Sequence, residues 1–280
     1  MNQFDPAELK NLYKPAKKSS GEDNGQVTII GGSNLFHGAP LLSLKVASRI
    51  VDMVFFSSPE PSVGRTAEQI KSRLLSFIWA PWTDLEAYVK KSDAVLIGPG
   101  FMRFGSEKTP EDKREHFGHE EGKKSREITE SLLKKFPNKK WVIDAGSLQI
   151  MDPIWIPKNA ILTPNQKEFK ILFGKMEPME AAKKYDCIIV LKGPTTMVCS
   201  PEKCVEISNG NAGLTKGGTG DVQAGLAVGL LAKNEPFLAA CASSYLTKAA
   251  ADALFKKVGT SYNADDLANT VPVVFSAKLA

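Results

Sequence analysis

The feature of this sequence that most restricts its fold is a repeated unit: an apolar strand stops at a turn-forming residue, and a helical pattern follows. Gln26 to Ile30 reads as a short buried strand that stops at Gly31-Gly32-Ser33, and Ala39 to Ile50 then carries helical spacing. Met53 to Phe56 follows as a strand, Ala67 to Ile78 as a helix, and Ala94 to Ile97 as a strand ending in Gly98-Pro99-Gly100. Trp141 to Ile143 leads into Asp144-Ala145-Gly146, Ile161-Leu162 into Thr163-Pro164-Asn165, and Cys187 to Leu191 into Lys192-Gly193. Alternation of this kind predicts an α/β fold, a mostly parallel sheet flanked by helices on both faces. Open sheets of this class bind ligands at the carboxyl ends of their strands, so these ends predict one crevice. Thr195 to Cys199 and Lys203 to Ile207, joined through Ser200-Pro201, read as an antiparallel hairpin at the sheet's edge. Asp221 to Ala232 and Pro236 to Phe255 read as two helices whose Ala, Gly and Leu content suits close packing.

At 280 residues the chain is expected to form one domain over 1–280, with a polar leader over 1–25 and a charged surface excursion over 103–126. A core of this size needs neither disulfides nor a structural metal. Cys187, Cys199, Cys204 and Cys241 show no CxxC spacing, and with no signal peptide they read as reduced thiols in a cytoplasmic protein. Cys199 and Cys204 fall where neighbouring strands could hold them, and packing is their expected role. No apolar run approaches the roughly 20 residues of a membrane span, which argues against a membrane protein. The 36 Lys and Arg against 31 Asp and Glu leave a charge of +5, too small and scattered to argue for nucleic acid. Lys17-Lys18 and Lys139-Lys140 read as solvated faces. Within the excursion, Thr109-Pro110-Glu111-Asp112 is a helix start leading towards Ile128, Leu132, Leu133 and Phe136. His116 and His119 have a spacing that could present one face to a metal, but no third ligand stands nearby.

Chemistry concentrates in Asn209-Gly210-Asn211-Ala212-Gly213-Leu214-Thr215-Lys216-Gly217-Gly218-Thr219-Gly220-Asp221, which runs into a helix. Glycines around Thr219 let backbone N–H groups turn towards a ligand, and the helix adds its unpaired N–H groups and positive dipole end, so the segment reads as a phosphate cradle. It is neither a GxxxxGK[ST] loop nor the dinucleotide fingerprint. An aspartate at a helix start can simply complement the dipole. Beside a transferring phosphoryl group, however, Asp221 is positioned to take the proton of an attacking hydroxyl. Asn165-Gln166-Lys167-Glu168 reads either as an N-capped helix with a reciprocal capping pair or as an NxxE site holding magnesium through water.

The chain resembles the ribokinase-like superfamily, and within it the NAD(P)H-hydrate dehydratases. The resemblance rests on Gly31-Gly32-Ser33 with Gly38-Ala39-Pro40, then Gly98-Pro99-Gly100, Asp144-Ala145, Leu162-Thr163-Pro164, Leu191-Lys192-Gly193 and Asn209 through Gly225. It implies a repair enzyme for hydrated NADH and NADPH (NADHX and NADPHX). ADP or ATP would phosphorylate the C6 hydroxyl, the phosphate would depart, and Mg²⁺ would assist. By the resemblance Asp221 is base and substrate contact, and Ala39, Gly100 and Asn165 are further substrate contacts. Lys192, Gly193, Pro194, Thr195, Thr196, Asn211, Gly217, Gly218, Thr219 and Gly220 border the nucleotide, and Glu168 holds the metal through water. A separate epimerase for the two hydrate epimers is implied as pathway partner, as is a homo-oligomer, with the Ala-rich helix from Leu238 to Ala253 as its candidate interface.

The sequence departs from the family pattern in places. Asn165 stands where many bacterial members have His, Gly146 where a second Asp is common, Phe36 where Tyr is frequent, and Phe101-Met102 where Leu-Gly is usual. His37, beside the first loop, reads as a surface residue with a possible part in binding. Two other readings compete: a small-molecule kinase for a hydroxymethyl vitamin precursor of thiazole or pyrimidine type, and a non-catalytic adenine-nucleotide sensor. The Asn209-Gly210-Asn211 lead-in and Gly38-Ala39-Pro40 favour the dehydratase over the first, and a retained base favours it over the second.

Overall fold

The computed structural model describes residues 2–72, 74–104 and 117–279, except the side chains of 117–119 and 279. The helix start at Thr109-Pro110 and both excursion histidine side chains lie outside the described residues. The strands in chain order are β1 (Asn2–Gln3), β2 (Gln26–Ile30), β3 (Met53–Ser57), β4 (Ile78–Trp79), β5 (Ala94–Ile97), β6 (Lys140–Ile143), β7 (Ile161–Leu162), β8 (Ile188–Leu191), β9 (Thr196–Cys199) and β10 (Cys204–Ile207). The helices begin with α1 (Gly38–Ala47), α2 (Pro61–Ile70), α3 (Leu85–Lys91), α4 (Phe117–Lys135) and α5 (Ala145–Ile150). They continue with α6 (Gln166–Phe173), α7 (Pro178–Tyr185), α8 (Thr219–Leu231), α9 (Pro236–Val258) and α10 (Ala264–Leu279).

All ten strands join one sheet in the order β1-β10-β9-β8-β7-β6-β5-β2-β3-β4. Every pairing is parallel except those of β9 with β8 and β10, so β9 alone runs against the rest. The period of two along each strand feeds two cores. Val27, Ile29, Ala94, Leu96, Val142, Ile188 and Val190 point into a layer shared with α1, α2, α8, α9 and α10. Ile30, Val95, Ile97, Trp141, Ile143 and Ile189 point into the opposite layer with α3 to α7. Strands buried on both faces cannot alternate apolar with polar, which is why they read as short continuous apolar runs. This is the expected α/β architecture with helices on both faces.

Several expectations are corrected. The hairpin is not the edge: β1 pairs in parallel outside β10, and Leu9 and Leu12 of the polar leader are buried in the layer with α1 and α8. The second helix runs over Pro61–Ile70 rather than Ala67 to Ile78, because Glu60 accepts from Ser62 N as an N-cap before Pro61, while Ile78 joins β4. Cys199 and Cys204 stand opposite each other in the hairpin register and are joined as a disulfide, not held as free thiols. Cys187 and Cys241 are buried free thiols, each pushed up to about 12 chiefly by burial. Lys139 and Lys140 are more than solvated faces: half-buried Lys139 donates to the carbonyls of Lys90 and Ser92 at the end of α3, and Lys140, itself exposed, donates to those of Leu231, Ala232 and Asn234 at the end of α8. Burial holds both ammonium groups below the usual lysine range. The small residues of α9 are not an outward face. Ala239, Ala240, Ala242, Ala250 and Ala251 are fully buried, because α9 packs against α8 on one side and α10 on the other.

Candidate active site at the carboxyl ends of the strands

The ends of β2, β5, β6, β7 and β8 lie in adjacent lanes of the sheet, and their loops touch in sequence. Gly32 N donates to Pro99 O at 2.8 Å, Gly146 N to Gly98 O at 3.3 Å, and Lys192 N to Pro164 O at 2.8 Å. Gly100 packs on Phe36 O and Gly32 with no room for a side chain, and Ala39 opens α1 beside these loops. Ser43 of α1 donates to Asp221 O at 2.8 Å, so the helix carrying Ala39 also anchors the start of α8.

At the centre is a buried polar cluster. The Asp144 carboxylate, at the end of β6, accepts on one oxygen from Thr163 Oγ1 at 2.7 Å and from Lys192 Nζ at 2.9 Å. Burial alone would lower the Lys192 pKa, but Asp144 and then Glu168 hold it above the ordinary lysine value, so it is a fixed cation. Its Nζ is also the nearest atom to where a Cβ on Gly220 would stand, at 3.2 Å, so the ammonium lies against the first turn of α8. Asp221 sits in that turn. Burial first and the negative charge of Asp144 second push its carboxyl up to about 7. Burial likewise raises Glu168, with Asp144 adding to it. Three carboxylates therefore share one ammonium.

The cradle closes on itself as well as facing the crevice. Gly218 takes φ +88 as N-cap of α8, where only glycine fits without strain and where Leu42 and Ala264 crowd it. The Thr219 hydroxyl lies 2.7 Å from Leu214 O and 2.8 Å from Lys216 O, so it holds the loop shape. Gly217 is exposed with open space around it.

A cavity of about 630 Å³ opens beside the cluster. Of the predicted residues it brings together Asn165, Lys192, Gly193, Pro194, Thr195, Thr196, Asn211, Thr219 and Gly220. Ala39, Gly100, Glu168, Gly217, Gly218 and Asp221 are not on its wall; Gly100 packs against the β2 loop at Gly32 and Phe36, and Ala39 lies in the first turn of α1 that follows it. Sequence reasoning missed Ser208, Gln223, Thr247 and Lys248, which also line the cavity. It also gave Asp144 no role, although an aspartate ending an apolar strand was the available signal.

Asn165 and Glu168 form the reciprocal capping box of α6: the Asn165 side chain accepts from Glu168 N at 3.0 Å, and Glu168 Oε2 accepts from Asn165 N at 2.9 Å. The other Glu168 oxygen accepts from Gln149 Nε2 at 3.0 Å, and Gln149 Oε1 accepts from Arg103 Nη1 at 3.0 Å. Among the described residues no three His, Cys, Asp or Glu side chains form a ready metal cage. The surplus of carboxylates around Lys192 nevertheless suits a partly hydrated divalent cation. His37 is half-buried and hydrogen-bonded through Nε2 to Ser62 Oγ at 3.0 Å. Gly146, one of the departures from the family pattern, has no space for a Cβ: Phe101 O would lie 2.3 Å from it. Phe101 is itself buried in the α3–α7 layer, so the two departures from the family pattern are one packing arrangement.

Comparison with known proteins shows the family and the fold. Residues 27–273 match the family model described as NAD(P)H-hydrate dehydratase. A bifunctional NAD(P)H-hydrate repair enzyme of Methanocaldococcus jannaschii is 34% identical over 278 residues, covering 95% of this chain and 51% of that protein. An ADP-dependent (S)-NAD(P)H-hydrate dehydratase of Nitrosopumilus maritimus is 29% identical, covering 95% of this chain and 94% of the other. The chain spans about half the length of the bifunctional relatives it matches. Among solved structures, the ADP/ATP-dependent NAD(P)H-hydrate dehydratase of Bacillus subtilis, co-crystallised with ATP and Mg²⁺, superposes with a TM-score of 0.77 at 22% identity, over 99% of this chain and 98% of that one. That likeness bears out the ribokinase-like fold. With the family model spanning nearly the whole sheet and both of its helical layers, this chain belongs to the NAD(P)H-hydrate dehydratase family.

Proposed function

We propose that this chain dehydrates hydrated NADH and NADPH at the expense of ADP or ATP. The observation that carries the reading is Asp221, a partly buried carboxyl pushed up to about 7 in the first turn of α8, with the Lys192 ammonium against the same turn. A base poised there suits removal of a proton from a hydroxyl as it attacks phosphorus. In the first step the C6 hydroxyl oxygen bonds to the terminal phosphorus, the phosphoanhydride bond breaks, and the proton passes to Asp221. In the second, the C6–O bond breaks, phosphate leaves, and loss of the C5 proton restores the ring double bond. Hydroxide would be a poor leaving group, and phosphate is a good one.

Lys192 and the N–H groups of the α8 turn would stabilise charge on the transferring group, and Asp144 would fix Lys192 in place. Gly193 to Thr196, with Asn211, would wall the nucleotide; Ala39, Gly100 and Asn165 would meet the hydrated nicotinamide. Glu168, through water, and its neighbouring carboxylates would hold Mg²⁺, which neutralises phosphate charge when bound. Relatives about twice as long are named bifunctional repair enzymes, which fits a second repair activity beside this one, and an NAD(P)HX epimerase as pathway partner belongs to the same reading. Self-assembly belongs to the same reading, and a monomeric mass by light scattering would remove it.

The test is incubation with hydrated NADH, Mg²⁺ and either ADP or ATP, following return of the dihydronicotinamide absorbance, with Asp221→Asn as control. Return with one or both nucleotides, lost in the variant, is expected. No return with either would overturn the reading in favour of a vitamin-precursor kinase or, if nucleotide still binds, a sensor.

A further inference from the structure

The Asn209-Gly210-Asn211 lead-in, one of the segments on which the family resemblance rests, makes its polar contacts to the protein's own groups. Asn209 Nδ2 donates to Tyr245 O at 3.2 Å, Gly210 N to Asp252 Oδ2 at 3.0 Å, and Asn211 Nδ2 to Asp252 Oδ1 at 3.2 Å. Asn211 Oδ1 accepts from Gly213 N at 3.0 Å and from Tyr262 OH at 2.8 Å. The lead-in is therefore tied to α9, whose Lys248 and Asp252 stand one helical turn apart on the same face.

Lys248 is the second tie. It is a buried lysine on an Ala-rich helix, and its Nζ donates to Gly193 O at 3.2 Å, Pro194 O at 2.6 Å and Ile207 O at 3.1 Å. Its stem runs under Gly210, where a Cβ would come within 2.9 Å of Lys248 Cγ at φ +101. Gly193 and Pro194 form one rim of the cavity; Ile207 ends β10 just before the other rim at Ser208, Gly210 and Asn211. An ammonium with three donors matches three carbonyls drawn from both rims, and with all three bonds made it has no donor left for a phosphate.

We infer that Lys248 is a positioning residue that clamps the two rims of the nucleotide cavity at the separation an adenine nucleotide requires. The inference rests on the nucleotide-dependent reading above and adds to it a group that acts through the backbone rather than on substrate. Charged hydrogen bonds of this kind are individually the stronger ones, so losing all three opens the rims.

The test is ADP binding by calorimetry to the full chain, together with steady-state kinetics, for wild type, Lys248→Met, Lys248→Gln and Lys248→Arg. The expected result is a fall of about tenfold or more in ADP affinity for Lys248→Met. Lys248→Gln, which keeps one donor group and serves if the Met variant does not fold, falls in the same direction. Lys248→Arg recovers most of the affinity. The loss appears in the Kd and KM for nucleotide and not in turnover at saturating nucleotide. ADP affinity within twofold of wild type in the Met or Gln variant overturns the inference, as does a fall in saturated turnover as large as the fall in affinity. If wild type binds ATP in place of ADP, the same series is read with ATP; absence of binding of both ADP and ATP to wild type would instead bring down the nucleotide-dependent reading and this inference with it.

Discussion

Lys192 Nζ lies 2.9 Å from Asp144 Oδ1, joining the ends of β8 and β6 across β7, with the Asp144 side chain 2% exposed and that of Lys192 20%. Both groups act on the pKa of Asp221, in opposite directions: Asp144 raises it and Lys192 lowers it. The pair therefore sets the titration of the Asp221 carboxyl as well as presenting a cation to the α8 turn.

Removing either partner should move the pH profile in a direction the other does not. In Lys192→Met the acid limb of kcat/KM shifts up by about one pH unit, because Asp221 loses the cation and keeps the anion. In Asp144→Asn it shifts down. Both variants are slower, the Lys variant by about 100-fold through loss of charge stabilisation at phosphorus. Rates measured between pH 5 and 9 read both shifts, and a common direction would contradict the arrangement.

Wild-type kcat/KM should rise with pH and level off above about 7, since Asp221 must be ionised to accept a proton and its carboxyl stands at about 7. Asp221→Asn should lose about 10²- to 10⁴-fold in rate.

Asp221→Asn should also change stability in a pH-dependent way. The folded pKa is raised above the ordinary 3.8, so the folded state disfavours the ionised form, and stability falls as pH rises from about 3.8 to about 7. The variant escapes that cost. It should melt higher than wild type at pH 8, by at most about 4 kcal/mol, and match it near pH 4. Equal melting at pH 8 would show that the ionised carboxylate is not penalised.

Glu168 caps α6 and is also the candidate magnesium residue, and substitution separates the two. Asn165→Ala removes the cap and should cost about 1 kcal/mol in thermal unfolding. Glu168→Gln keeps an acceptor for Asn165 N and should hold its Tm within about 2 °C while raising the Mg²⁺ concentration needed for half-maximal rate. A Tm loss with an unchanged Mg²⁺ requirement would leave Glu168 with the capping role alone.

Gly146→Ala should destabilise by about 1–3 kcal/mol, because its new Cβ meets Phe101 O and the well-packed Phe101 cannot easily retreat. Denaturant unfolding checks this. Neutrality would mean that the second acid could have been retained here.

Much of the site was legible because it obeys local rules. Strands that end in Gly, Pro, Asn or Asp announce where a sheet opens, and the run from Gly217 to Asp221 announces a helix start built for an anion. What escaped was placed by distant parts of the chain. Cys199 and Cys204 look unrelated until the hairpin register sets them opposite each other. Lys139 and Lys140 read as plain solvated charges until the carbonyl ends of α3 and α8 arrive as acceptors beside them. The Ala-rich face of α9 resembles an interface until α10, which no sequence signal singled out, covers it.

The amino-acid sequence by itself determined the α/β class, the parallel run of the inner strands, the glycine-rich helix start from Gly217 to Asp221 and the family, since each follows from residue type at short spacing. The tertiary structure alone decided that Asp144 pairs with Lys192, that Lys248 bridges the cavity rims, and that a carboxyl at position 221 stands near neutrality. Those outcomes depend on burial and on charges brought close from residues tens to a hundred positions apart. Neither burial nor long-range proximity is encoded in local periodicity, because both arise only when the layers pack.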